Sequence, residues 1–224
     1  MPRENNARFS TLFAALMILA AALPFLRPGA IGGALLQVLF TVLLISGLYA
    51  VADDSKRALT VAVAFAVLAF GLSGAGRVFS NPTLSGAGAL LLAAFLALTA
   101  VGILRYIVRV QRVTGQVIFG SVSVYLMIGI VGALLFSTLE VWAPGSLRLP
   151  GMEGAAVHDP AVFSALSYFS FVTLTTLGYG DITPVSPLAR SMATMLAVTG
   201  QIYLVVLVAG VVGFHIAQSA KPTE

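Results

Sequence analysis

Between Leu84 and Leu104 the chain carries no charged side chain. As a helix rising about 1.5 Å per residue, such a run matches the roughly 30 Å hydrocarbon thickness of a bilayer. No feature of the chain restricts its fold more, because a soluble domain has nowhere to bury such a run on every side. Further apolar runs extend from Thr11 to Leu26, Ile31 to Val51, about Ala58 to Gly74, Val117 to Leu139 and Leu188 to Gln218. Only 9% of the residues are charged, against about 25% in a soluble domain. The expected fold class is therefore an all-α membrane protein with six transmembrane helices.

The connections between the runs are short and polar. Asp53-Asp54-Ser55-Lys56-Arg57 reads as a solvated charged turn rather than a metal or regulatory site, since adjacent acids followed by adjacent bases commonly form such loops. Arg77 and Asn81-Pro82 mark the next turn, and Glu140 to Asp159 is loop-like, broken by Pro144-Gly145 and Pro150-Gly151. Trp142 suits an aromatic anchor at the membrane interface. The net charge of +4 and the pI near 9.8 do not indicate nucleic acid, because the basic residues fall at helix ends and form no single patch. Arg3, Arg8, Lys56, Arg57, Arg105, Arg109, Arg112 and Lys221 lie on one side, and Arg27, Arg77, Arg148 and Arg190 on the other. This asymmetry puts both termini in the cytoplasm. The expected setting is a multi-pass position in a cell membrane, taken as a prokaryotic plasma membrane. The first run has a positive start and a short core that also fit a signal peptide, with Ala20 to Ala22 as the cleavage region; either reading leaves the later orientation unchanged.

One apolar segment does not fit the spanning pattern. Phe163 to Leu174 is too short to cross a bilayer, which takes about 20 residues. Asp159 can act as its N-cap, with Pro160 at the first helical position, where a missing N–H costs nothing. It runs directly into Thr175-Thr176-Leu177-Gly178-Tyr179-Gly180-Asp181. A cation entering a narrow pore must exchange its water shell for other oxygens, and backbone carbonyls can supply them. Aiming successive carbonyls the same way requires alternate residues to leave ordinary geometry, which glycine does freely. Gly178 and Gly180 have the alternating spacing this needs. Gly-Tyr-Gly-Asp alone would read as a surface turn; the capped short helix before it and the long apolar helices on both sides favour a pore.

Thr176-Leu177-Gly178-Tyr179-Gly180 resembles the selectivity filter of potassium channels, and the resemblance is residue-specific over about Pro160 to Gly213. It implies a re-entrant pore helix and filter between the fifth and sixth spans. It also implies a homotetramer around a four-fold axis, with K+ bound at Thr176, Leu177, Gly178 and Tyr179. Thr176 would add a hydroxyl oxygen at the cavity end, while Leu177 and Tyr179 would point away and brace the strand. Asp181 would sit at the outer mouth, as part of a negative ring, hydrogen-bonded behind the filter to Tyr168, or both. Residues 1–112 would form a four-helix transmembrane domain resembling a degenerate voltage-sensor domain, and residues 113–224 a pore domain of outer helix, pore helix, filter and inner helix.

Within the last span, Gly200 is a candidate gating hinge or a close-packing site, two readings of equal weight. Leu204, Val208 and Val212 are candidates to line the cavity. Gly210 and Gly213 suit tight helix crossing, and His158 and His215 are weak candidates for external and internal pH sensing. The positions behind the filter where some channels carry a carboxyl residue are here Phe171, Val172 and Thr173.

Moving one charge through 100 mV yields about 2.3 kcal/mol, and steep voltage gating takes three or four charges per subunit. Arg105, Arg109 and Arg112 stand at or beyond the end of the fourth span, and the first three spans hold no acidic countercharge. Little or no voltage dependence follows. No cofactor is expected beyond the permeant K+, and the expected partners are further copies of the chain and membrane lipid. A weakly selective cation channel and a non-conducting regulatory membrane subunit are the alternatives. An intramembrane enzyme is disfavoured, since two distant histidines and no cysteines offer no paired catalytic groups. The few residues after the last span leave no room for a ligand-binding gate within the sequence.

Overall fold

Residues 8–26, 28–51, 56–79, 81–109, 114–152, 154–156 and 159–219 are described by the computed structural model. Arg3, Arg27, Asp53, Asp54, Ser55, Arg112, His158 and Lys221 lie outside the described residues, as do the side chains of Lys56, Arg57, Arg77, Val208, Val212 and His215. The helices in order are α1 (Arg8–Ala22), α2 (Ala30–Val51), α3 (Lys56–Val78), α4 (Pro82–Arg109), α5 (Gly115–Trp142), α6 (Pro160–Leu174) and α7 (Pro187–Ser219). A 3₁₀ turn, Leu23–Phe25, continues α1. Two short strands, β1 (Leu147–Arg148) and β2 (Thr183–Pro184), pair antiparallel.

The protein is an all-α membrane protein. Among the described residues, five helices are long and apolar enough to cross a bilayer, namely α1 with its 3₁₀ turn, α2, α4, α5 and α7. The apolar stretch of α3, Val63–Gly76, is shorter. Small residues explain its modest hydropathy and also its packing. A Cβ on Gly88 would overlap Ser73, and one on Gly76 would lie 2.6 Å from the Ser85 nitrogen, so α3 and α4 touch nearly backbone to backbone.

The helices run past several ends expected from the sequence. A helix satisfies its own backbone groups, so it continues until a cap or a proline stops it. Arg77 lies within α3, and the chain reverses only at Asn81, whose Oδ1 accepts from Leu84 N–H (3.2 Å), with Pro82 opening α4. α4 continues to Arg109, so Arg105 and Arg109 lie on its last turns, both exposed. Long basic side chains at a helix end can reach water while their stems cover apolar surface.

α5 is the central post. Of its apolar window 61% is buried within the chain, against 6% for α7. α4 lies along α5. Gly86 faces Val141 and Trp142 at one end, and Gly120 faces Ile103 and Phe9 at the other. α1 packs on the same post, where Phe9 N–H donates to Gln116 Oε1 (3.2 Å) and the Arg8 guanidinium stands 4.9 Å from the Tyr106 ring. α7 is fastened at Tyr203, which donates to the Ser121 carbonyl (2.6 Å) and stacks on Tyr125 with ring centroids 5.9 Å apart.

Candidate functional site

The short helix α6 forms as its sequence dictates. Asp159 is the N-cap and accepts from Ala161 N–H (2.8 Å), and Pro160 opens the first turn. Its sides are wedged. The Phe169 ring meets Phe136 of α5 edge-on at 4.9 Å, and Phe163 meets Phe40 of α2 at 5.5 Å. Ser170 donates to the Gly129 carbonyl of α5 (2.7 Å), and Ser164 to the Leu23 carbonyl at the end of α1 (2.7 Å). Cβ atoms on Gly129 and Gly132 would overlap Phe171 and Ser170, so these two glycines let α6 approach α5.

Beyond α6 the chain turns back as an extended segment with alternating backbone handedness. Thr176, Gly178 and Gly180 have φ of 58°, 57° and 80°, while Leu177 and Tyr179 between them do not enter positive φ. An ordinary strand points successive groups to opposite sides; alternating the handedness brings successive carbonyls to one side. The N–H groups turn toward α6: Thr176 N–H donates to the Thr173 carbonyl (3.0 Å), and those of Leu177 and Gly178 to the Val172 carbonyl (2.9 and 3.3 Å). Among the described residues, nothing within the chain donates to the carbonyls of Thr176 through Gly180. Thr176 holds its left-handed backbone without being glycine, at a strain of about 1–2 kcal/mol. The C-terminal end of α6, carrying roughly half a negative charge, lies at the start of this segment.

Every residue from Thr175 to Asp181 is exposed, with Leu177 at 54% and Tyr179 at 67%. Non-helical backbone at membrane depth is tolerated only where protein covers it or it faces a water-filled space.

A frame outside α6 holds the far end. Glu140, buried near the end of α5, accepts from Gly145 N–H (2.9 Å) and Leu147 N–H. Leaving the buried Leu147 donor unpaired would cost about 1–3 kcal/mol. β1 then pairs with β2 just after the segment, Leu147 with Pro184 and Arg148 with Thr183, and Ser186 Oγ caps α7 through Ala189 N–H (3.2 Å). Glu140 carries no motif that would single it out in sequence. Only its position before a Pro-Gly loop hints at a clasp.

Asp181 stands exposed where the segment ends, in the same pocket as Tyr168. The Tyr168 hydroxyl, more than any other influence, holds the Asp181 carboxyl below its ordinary range, and the Ile182 N–H adds to the effect.

Gly200 of α7 has a definite packing role: a Cβ there would overlap the Leu174 carbonyl oxygen and lie 2.9 Å from Leu174 Cδ1. Leu204 is half-buried, and a Cβ on Gly210 would meet nothing within 4 Å. Gln201 belongs to no motif, yet its Nε2 donates to Thr176 Oγ1 (3.1 Å). It shares the Leu204 face of the helix, three residues earlier.

A family model described as "Ion channel" matches residues 117–216. The match covers nearly all of α5, then α6, the carbonyl-bearing segment and most of α7. It supports an ion channel and, with the apolar helices, a multi-pass membrane protein. No curated protein and no solved structure matches the chain.

Proposed function

We propose that the chain is the subunit of a homotetrameric potassium-selective channel that passes K+ down its electrochemical gradient with little or no voltage dependence. The observation that carries this reading is the run of carbonyls from Thr176 to Gly180, unpaired among the described residues, turned to one side by alternating positive φ and exposed in the single chain. A dehydrated cation is the partner such oxygens fit. One chain encloses nothing, so four copies around an axis complete the cage and also cover the exposed backbone. The almost unburied α7 is then the pore-lining helix and subunit contact. The helix period makes Leu204, with Val208 and Val212 at the same register, the candidates to line the cavity.

In this reading α1–α4 and α5–α7 form the two units 1–112 and 113–224, α3 serves as the third of six spans, and both termini are cytoplasmic. Arg105 and Arg109 on the last turns of α4 anchor its cytoplasmic end and move little charge through the field. The deciding experiment is flux from liposomes containing purified protein: potassium efflux without matching sodium flux is expected. Equal sodium and potassium permeability would favour a weakly selective cation channel, and no flux from a correctly inserted protein would favour a regulatory subunit; either outcome removes the reading.

A pH dependence follows at the outer mouth. A carboxyl held below its ordinary value gives up its charge only when the pH falls past that lowered value. The Asp181 ring, which concentrates cations, therefore persists to lower external pH than a free aspartate would allow. In Tyr168→Phe the carboxyl moves back up, so the acid-induced fall in single-channel conductance is expected at higher external pH. Superimposable conductance curves for the two proteins would refute this assignment.

A further inference from the structure

We propose that Gln201 is a specificity-determining positioning residue: it fixes the Thr176 hydroxyl so that its oxygen serves as the innermost ligand of the ion path. The proposal rests on the channel reading above and adds to it a residue outside the filter. Thr176 carries the hydroxyl at the inner end of the carbonyl run. A hydroxyl has one proton to donate and two lone pairs to offer. The Thr176 proton goes to the Thr175 carbonyl (2.7 Å), and one lone pair accepts from Gln201 Nε2 (3.1 Å). One lone pair is left for an ion. With both other directions occupied, the hydroxyl cannot swing among its staggered positions, and the proton is kept away from the cation. The backbone beneath it is held at φ 58°, so this side chain depends on fixed neighbours more than one on a relaxed backbone would.

The reach of Gln201 depends on the residue before it. Gly200 brings the α7 backbone against the Leu174 carbonyl at the end of α6, and that approach puts Gln201 beside the first residues of the filter. Gly200 and Gln201 thus act together, one by having no side chain and the other by having a long one with an amide.

A fixed oxygen discriminates between ions of different radius, whereas a freely rotating one adapts to either. Gln201→Met keeps the length and helix preference of the side chain and removes the donor. Reversal potentials in mixed potassium and sodium are expected to show the potassium-to-sodium permeability ratio falling by about twofold to tenfold in Gln201→Met, the range one hydrogen bond supports, with tetramer assembly unchanged. In the Thr176→Val background, where no hydroxyl remains, the same change at Gln201 is expected to leave the ratio where Thr176→Val alone puts it. If Thr176→Val does not assemble, Thr176→Ser keeps the oxygen and is expected to keep the Gln201 effect. An unchanged ratio in Gln201→Met, an equal fall with and without the hydroxyl, or loss of the effect in Thr176→Ser would each overturn the proposal. A wild-type protein that conducts no potassium, or does not prefer it, brings down the channel reading itself, which is a different result from a selective wild type insensitive to Gln201.

Discussion

Gly178→Ala is expected to lower potassium flux by more than about 100-fold while the protein still folds and inserts. A Cβ at this position meets nothing within 4 Å in the chain, so the cost comes from the backbone alone. A residue with a Cβ at φ 57° is strained by about 1–2 kcal/mol, and the four copies of the proposed tetramer multiply that to about 4–8 kcal/mol. The segment can relieve the strain only by rotating the peptide, which turns a ring of carbonyls off the axis and removes ion ligands. Gly145→Ala is the control. Gly145 has φ 80° and also has nothing within 4 Å, so it carries a comparable backbone penalty in the outer loop. Flux near wild type is expected there. A Gly178→Ala channel with flux within a few-fold of wild type would show that this backbone does not conduct.

Gly200→Ala is expected to weaken the assembled protein rather than merely change how often it opens. Helix propensity alone favours alanine by about 1 kcal/mol. Against that stands overlap with the Leu174 carbonyl oxygen, a backbone atom at the end of α6 that cannot rotate aside. Overpacking of this kind costs about 1–3 kcal/mol or more per site. It would also push α7 away from α6 and part Gln201 from Thr176. Gly210→Ala, with open space around the new Cβ, is expected to leave stability unchanged or raise it slightly. Thermal dissociation of the proposed tetramer in detergent separates the two readings of Gly200. A Gly200→Ala protein as stable as wild type, with only its open probability altered, would make the residue a hinge.

The features legible in the sequence are those set by local chemistry. Asp159 and Pro160 start α6 where capping preferences put them, and the alternating glycines deliver the positive φ they permit. Thr176 was less legible because its own propensity argues against a left-handed backbone, which its surroundings impose. Glu140 and Gln201 were illegible for a different reason. Each acts through a partner that the chain's path brings to it, Glu140 through a loop that folds back and Gln201 through a residue on another element. Sequence alone does not separate bending from packing at Gly200, since both uses want the same residue. The Leu174 contact gives packing a physical basis. Arg77 and Arg105 look like loop residues, so sequence alone ends α3 and α4 early, although a helix can carry such residues on its surface turns.

The end of α1 and the middle of α2 touch α6 directly, through Ser164 on the Leu23 carbonyl and Phe163 on Phe40. The first two helices are therefore tied mechanically to α6. Stripped of its first two helices, the remainder would expose one flank of α6 to acyl chains, so the amino-terminal half acts as a buttress and cannot be exchanged like a cassette.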